Sequence, residues 1–265
     1  MAILCPEHDL LYIQVPATGS SVVARTLKEE LDGTPVPEQP IRKDDGGILV
    51  HRTHCTVPDL LEYDVLSQET VDSCLVFANV RNPFDRWTTY YQRRVGGEWV
   101  EYSIDVRRRQ LDRDRERFEW SDEEYERRLR HLEQRKRVQE RKGYLMRSIG
   151  FGGWMKYTLL RWWWNDVWGR GRGIRENTFP MLEGVDIAIR QEQLNEGLNR
   201  VLDVAKVDRR VTLPEKNKTS GKKPYPEYYS WSTRKAANLL IGSRAKYFGY
   251  HFEGVDEDGE PIVWL

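Results

Sequence analysis

The sequence predicts an α/β chain in which a parallel central sheet is flanked by helices and interrupted by a charged helical insertion. Three observations carry that prediction. The apolar run Leu10–Val15 passes through Pro16-Ala17-Thr18-Gly19-Ser20-Ser21 into the helix-like stretch Val22–Leu27, which is the order strand, tight turn, helix. A second apolar run, Leu75–Val80, leads straight into Arg81-Asn82-Pro83. Its continuity is that of a strand buried on both faces. Between about 105 and 142, Arg, Asp and Glu dominate. The 265 residues suit one domain over 1–265, with the helical insertion spanning about 97–180.

The elements follow in order. A strand is expected over about 10–15 and a helix over about 20–31. Residues 32–47 are rich in Pro, Gly and Asp and read as an exposed loop. A strand near 48–51 and a short helix precede the strand at 74–80. Pro83 suits the first turn of a helix running to about Val95, because its missing N–H costs nothing there. Ser121-Asp122-Glu123-Glu124 opens a helix with a capping box, and the thin stripe Leu129, Leu132, Val138 marks an exposed helix laced with ion pairs. Two readings stand for this insertion: a solvated helical excursion, or a platform whose Arg-rich face meets an anionic substrate. Trp154, Tyr157, Trp162, Trp163, Trp164 and Trp168 are either core under the insertion or an acceptor-stacking surface. A strand from about Val185 follows, then a helix over about 191–204, a basic loop (Lys216, Lys218, Lys222, Lys223) and a helix over about 232–246. Residues 253–265 read as an acidic tail with a hairpin at Asp258-Gly259.

The chemistry concentrates at the two strand ends. A helix N-terminus presents unpaired N–H groups and the positive end of its dipole. Gly19 lets the backbone turn closely, and Thr18, Ser20 and Ser21 add hydroxyls, so the turn forms a cradle for phosphate or sulfate. It lacks the spacer and the Gly-Lys-Ser/Thr ending of a Walker A loop, which argues against a P-loop kinase. Arg81 falls at the end of a buried strand, the lip where open α/β sheets bind ligands. An anion is one partner for its guanidinium; Asp85 is the other. Thr89 lies two helical turns further on.

Together these motifs resemble those of sulfotransferases that use 3′-phosphoadenosine 5′-phosphosulfate (PAPS), in their carbohydrate-type and bacterial branch. The family's first loop, Pro-Lys-Thr-Gly-Gly/Ser-Thr/Ser, is matched from Pro16 to Ser21 except at Ala17. Its second motif is matched by Arg81, Asn82, Pro83, Asp85, Arg86, Thr89 and Tyr90. Val50–Thr56 is similar to the family's segment between the two motifs, and Val185–Leu194 (ending in Arg190–Leu194), Leu213–Thr219 and Tyr247–Phe252 are similar to its later motifs and stand in the same order. The resemblance implies a P-loop-like sheet and transfer of a sulfuryl group from PAPS to a hydroxyl of a carbohydrate, glycolipid or small metabolite. It implies that Ala17, Thr18, Gly19, Ser20 and Ser21 bind the 5′-phosphosulfate, that Arg81 and Thr89 bind the 3′-phosphate, and that Lys218 belongs to a loop closing over the nucleotide. His54 is the expected general base, with His51 as runner-up; capping of the following helix is the plain alternative for His54. The family's cation is missing at Ala17, and Arg25, Arg52 or a lysine of 216–223 are candidates to replace it. The same gap fits a catalytically inactive nucleotide- or glycan-binding relative.

Composition narrows the partners. Lys plus Arg and Asp plus Glu number 42 each, so no global field recruits nucleic acid. Cys5, Cys55 and Cys74 are the only cysteines and form no CxxC pair, which argues against a disulfide scaffold or a structural zinc. No metal ligand set is visible. Met1–Pro6 lacks the basic start and apolar run of a signal peptide, and no stretch is apolar enough to span a bilayer. The expectation is a cytoplasmic enzyme with a small-molecule or glycan acceptor and no stable membrane insertion.

Overall fold

The computed structural model describes residues 2–42, 48–50, 54–167, 180–214, 223–255 and 260–265. In chain order the elements are β1 (Ala2–Cys5), β2 (Leu10–Ile13), α1 (Ser20–Glu30), β3 (Thr34–Val36), β4 (Ile41–Arg42), β5 (Ile48–Val50), α2 (Val57–Glu62), α3 (Gln68–Ser73), β6 (Leu75–Val80), α4 (Pro83–Val95), α5 (Gly97–Arg117), α6 (Asp122–Val167), β7 (Ile187–Arg190), α7 (Leu194–Val204), α8 (Trp231–Tyr247), β8 (Tyr250–His251), β9 (Gly254–Val255) and β10 (Ile262–Trp264). They fall into two compact units. The first comprises residues 1–86, 172–218 and 242–265; the second comprises 87–171 and 219–241.

The first unit is built on a six-stranded sheet of order β10-β7-β6-β2-β1-β3. Its centre is parallel, with Tyr12 beside Phe77 and Asn79 beside Ile189. Its margins are antiparallel, because β1 pairs with β2 and β3 while β10 pairs with β7. On one face Val23, Ala24 and Leu27 of α1 and Leu198, Val201 and Leu202 of α7 pack on Ile3, Tyr12, Phe77, Ile187 and Ile189. Residues of the opposite parity, Leu11, Ile13, Val76, Ala78 and Ala188, are buried as well. Both faces are therefore covered, as the unbroken apolar runs require. The prediction of an α/β chain with helices flanking a central sheet holds, and its parallel character belongs to the three middle strands.

Three strands of this sheet escaped the sequence reading. β1 and β2 form a hairpin, β3 arises inside the expected loop 32–47, and β10 arises inside the expected tail. Each has only three or four residues, too few for a period-two pattern to declare itself, and each is defined by its neighbour in the sheet. The expected hairpin turn at Asp258-Gly259 and the basic loop residues Lys216, Lys218 and Lys222 lie outside the described residues.

The second unit is helical. The expected capping box at Ser121 is present in its first half, the Glu124 N–H donating to Ser121 Oγ at 3.3 Å. α5 and α6 run antiparallel around Val100, Ile104 and Leu132, with ion pairs Lys136–Glu101 and Arg108–Glu133 across them. α6 breaks at Gly150, where φ is 67° and ψ 174°. Trp154 is core: its ring lies 5.2 Å from Trp87, 5.6 Å from Tyr91 and 5.8 Å from Phe151. Of the two readings for the tryptophans, Trp154 follows the packing one, and Tyr157 is exposed. The side chains of Trp162, Trp163, Trp164 and Trp168 lie outside the described residues.

Candidate active site

The site is assembled at the carboxyl ends of β2 and β6, from two polar residues placed in otherwise apolar strands. β2 continues through Gln14 and Val15 into the loop 16–19. Thr18 is buried and its Oγ1 donates to the Val15 carbonyl at 2.8 Å, so its hydroxyl braces the loop. Ala17 and Gly19 both adopt left-handed backbone angles, φ 64° and 78°. Gly19 is the residue preceding α1. A side chain there would press Leu194 Cδ2 at 3.2 Å, so glycine satisfies both the φ angle and the close approach of α7. The turn therefore delivers the first N–H groups of α1 at the sheet lip.

The second strand end meets the first. Asn79 Nδ2 donates to the Thr18 carbonyl at 3.3 Å, and Arg81 Nη1 donates to the Ala17 carbonyl at 3.1 Å. Arg81 Nε donates to Asp85 Oδ2 at 2.9 Å, and the same carboxylate oxygen receives Nη2. Both readings of Arg81 thus bear on one geometry. Asp85, one turn along α4, aims the guanidinium, and the guanidinium lies against the loop. Asn82 caps α4 by accepting from the Phe84 N–H at 2.9 Å. Its own N–H donates to Glu192 Oε1 at 3.0 Å, and Tyr250 Oη donates to Glu192 Oε2 at 2.6 Å. Burial first, and then the neighbouring Glu192 charge, push the Tyr250 phenol well above its ordinary value, so it remains a donor to that carboxylate. Arg190 is a structural clamp: Nε donates to the Phe248 carbonyl at 3.0 Å, and Nη1 reaches the Glu260 carbonyl.

His54 approaches from the segment before α2. Its Nδ1 lies 3.2 Å from the Gln14 carbonyl. A carbonyl only accepts, so Nδ1 carries a proton, and in the neutral ring Nε2 is the acceptor nitrogen. The helix-capping alternative for His54 is displaced, because Thr56 caps α2. The Asp59 N–H donates to Thr56 Oγ1 at 3.1 Å, and the Thr56 N–H donates to Asp59 Oδ2 at 2.8 Å. His51, Arg52 and Lys218 lie outside the described residues. Arg25 forms an exposed ion pair with Glu29 at 2.6 Å on the flank of α1. Thr89 is buried on α4, in the part of that helix belonging to the second unit.

Sequence reasoning passed over Gln14, Asn79, Glu192 and Tyr250. A signal was present for the first two: each is a lone polar residue at the end of an apolar run, where an unpaired amide would be costly. Glu192 and Tyr250 fall in the motif-like segments Arg190–Leu194 and Tyr247–Phe252, but their pairing across 58 residues has no sequence signal.

A strand-to-helix turn joined by an arginine from the next parallel strand forms a donor set for an anionic group at the sheet lip. The profile of the Sulfotransferase family matches residues 1–240. The chain belongs to the sulfotransferase family. Its activity class is accordingly the transfer of a sulfuryl group, and the mixed α/β sheet with flanking helices is the fold of that family. No curated protein matches the chain, and no solved structure does. The loop at Ala17–Ser21 carries no charge at the Ala17 side chain, and Arg81 Nη1 lies on the Ala17 carbonyl.

Proposed function

We propose that this sulfotransferase takes its sulfuryl group from PAPS and transfers it to a hydroxyl of a carbohydrate, glycolipid or small metabolite. The observation that carries the donor assignment is the Arg81–Ala17 hydrogen bond, which makes the loop and the Arg-Asn-Pro motif one lip. The donor set suits a nucleotide with phosphates at both ends. The N–H groups of Gly19, Ser20 and Ser21, with the Ser20 and Ser21 hydroxyls, would hold the 5′-phosphosulfate. Arg81, with Thr89 further along α4, would hold the 3′-phosphate.

The bound nucleotide supplies an activated sulfuryl group. The chain supplies the rest. His54 Nε2 accepts the proton of the attacking hydroxyl, while Nδ1–H on the Gln14 carbonyl fixes the ring. The α1 N-terminus stabilises charge on the leaving phosphate oxygen, and Arg81, hydrogen-bonded to the Ala17 carbonyl, ties the loop to the 3′-phosphate end of the site. The test is the melting temperature with 3′,5′-ADP. We expect stabilisation that Arg81→Ala largely removes. Equal stabilisation by 5′-AMP would show that the 3′-phosphate is not recognised and would end the assignment.

The second reading, an inactive nucleotide- or glycan-binding relative, draws on Ala17 itself. Turnover separates the two: labelled sulfate transferred from PAPS to any member of a hydroxyl-acceptor panel excludes the inactive relative, whereas nucleotide binding without transfer supports it.

A further inference from the structure

The hairpin of α5 and α6 sorts its side chains by chemistry. Its interhelical ion pairs, Lys136–Glu101 and Arg108–Glu133, define one flank, since on each helix the partners lie to the same side of the buried line Val100, Ile104 and Leu132, at offsets of about 40–100°. The same periodicity puts Asp105, Asp112 and Glu140 on that flank. On the other flank and the outer face it places Trp99, Tyr102 and Val106 of α5 and Val138, Leu145 and Ile149 of α6. All six are exposed, Tyr102 by 63% and Leu145 by 59%. Exposed Arg113, Arg135 and Lys142 stand among them. Of the acidic residues that periodicity assigns to this flank, Glu124 is neutralised by Arg127 and Arg128, and Asp114 is buried and accepts from Gln110 Nε2 at 2.7 Å. Beyond the Gly150 break, exposed Lys156, Tyr157, Leu160 and Arg161 repeat the combination.

Six exposed apolar side chains gathered on one side of the hairpin mark a contact surface. Its charge selects among occupants. A second copy docked by the same face would set one net-cationic surface against another, and like charges at a seam repel. A soluble polyanion would pair with the arginines but has no use for Leu145, Ile149 and Val138 between them. A bilayer with anionic headgroups uses all three classes. Aliphatic side chains enter the acyl boundary, Trp99 and Tyr102 suit the interface, and the cations reach the headgroups along their own stems.

We infer that this flank of the α5–α6 hairpin docks the protein peripherally on an anionic membrane surface. The interaction lies in the interface plane and needs no spanning helix; no helix among the described residues is long and apolar enough to span. It is independent of the sulfuryl-transfer site, which is built from other elements.

The experiment is flotation of the full chain with vesicles of phosphatidylcholine, with and without phosphatidylserine. Binding should require phosphatidylserine and weaken with salt. Leu145→Ala with Ile149→Ala should lower partitioning on the order of tenfold, and Arg135→Glu with Lys142→Glu on the order of tenfold or more. Circular dichroism and 3′,5′-ADP-induced melting shifts identify variants that have simply unfolded; the milder Arg135→Gln with Lys142→Gln then replaces them. Three outcomes overturn the proposal. One is the absence of flotation. The second is binding insensitive to the aliphatic pair and matched by soluble heparin. The third is a dimer in light scattering that Leu145→Ala dissociates, which would assign the face to a second copy.

Discussion

At the level of single residues, His54 and Arg81 hold complementary positions, and each makes a separable prediction. His54 is held through Nδ1 on the Gln14 carbonyl, so removing it takes away a proton acceptor and leaves the loop intact. His54→Ala should reduce kcat on the order of 10²-fold or more with little change in 3′,5′-ADP affinity. A matching loss of nucleotide affinity would place His54 in the binding loop instead. Arg81 touches the loop itself, so Arg81→Ala should weaken nucleotide binding. Ala17→Lys tests whether another cation already supplies the charge at the leaving oxygen. If it does, the new lysine meets like charge and kcat falls; a rise in kcat would show that the position beside Ala17 was open to a cation.

Elements act through how closely they approach. Gly143 on α6 faces the end of α4, and a Cβ there would overlap the Arg94 carbonyl. Gly143→Ala should therefore destabilise the helical unit, by about 1–3 kcal/mol if α4 yields as packed backbones do. Gly-to-Ala would be mildly stabilising in an open helix, so a rise in melting temperature would refute the contact. Trp154, buried among Trp87, Tyr91 and Phe151, should cost about 3–5 kcal/mol on truncation to Ala, measured by urea unfolding. A loss below about 1 kcal/mol would mean that the ring is not core.

Across the whole molecule, stability should depend on alkaline pH. Burial pushes the Cys5 thiol up to about 12 and holds the Tyr12 and Tyr250 phenols well above 10.0. These groups are neutral when protonated, and their folded values exceed their unfolded ones. Their contribution is full below the unfolded values of 9.0 and 10.0 and is lost as pH rises through the folded ones. The melting temperature should fall steadily above about pH 9. Tyr12→Phe should lessen that fall, because Tyr12 packs on Phe77 at 4.9 Å and loses only its hydroxyl. An unchanged alkaline slope in Tyr12→Phe would exclude Tyr12 as a contributor.

Sequence alone determined the pieces whose physics is local. The runs Leu10–Val15 and Leu75–Val80, the Gly19 turn, Pro83 and the Ser121 cap each carry their own backbone or burial preference, so β2, α1, β6, α4 and the start of α6 were legible, and with them the two candidate strand ends. Only tertiary structure decided what depends on partners distant in the chain. β1, β3 and β10 are too short to announce themselves and exist through the strands beside them. That the Thr18 hydroxyl donates to the Val15 carbonyl is likewise set by the folded loop. The Arg81–Ala17 and His54–Gln14 contacts span 64 and 40 residues. No spacing rule reaches that far, because hydrogen bonds across a sheet lip are set by which strands lie adjacent, and adjacency is a property of the folded whole.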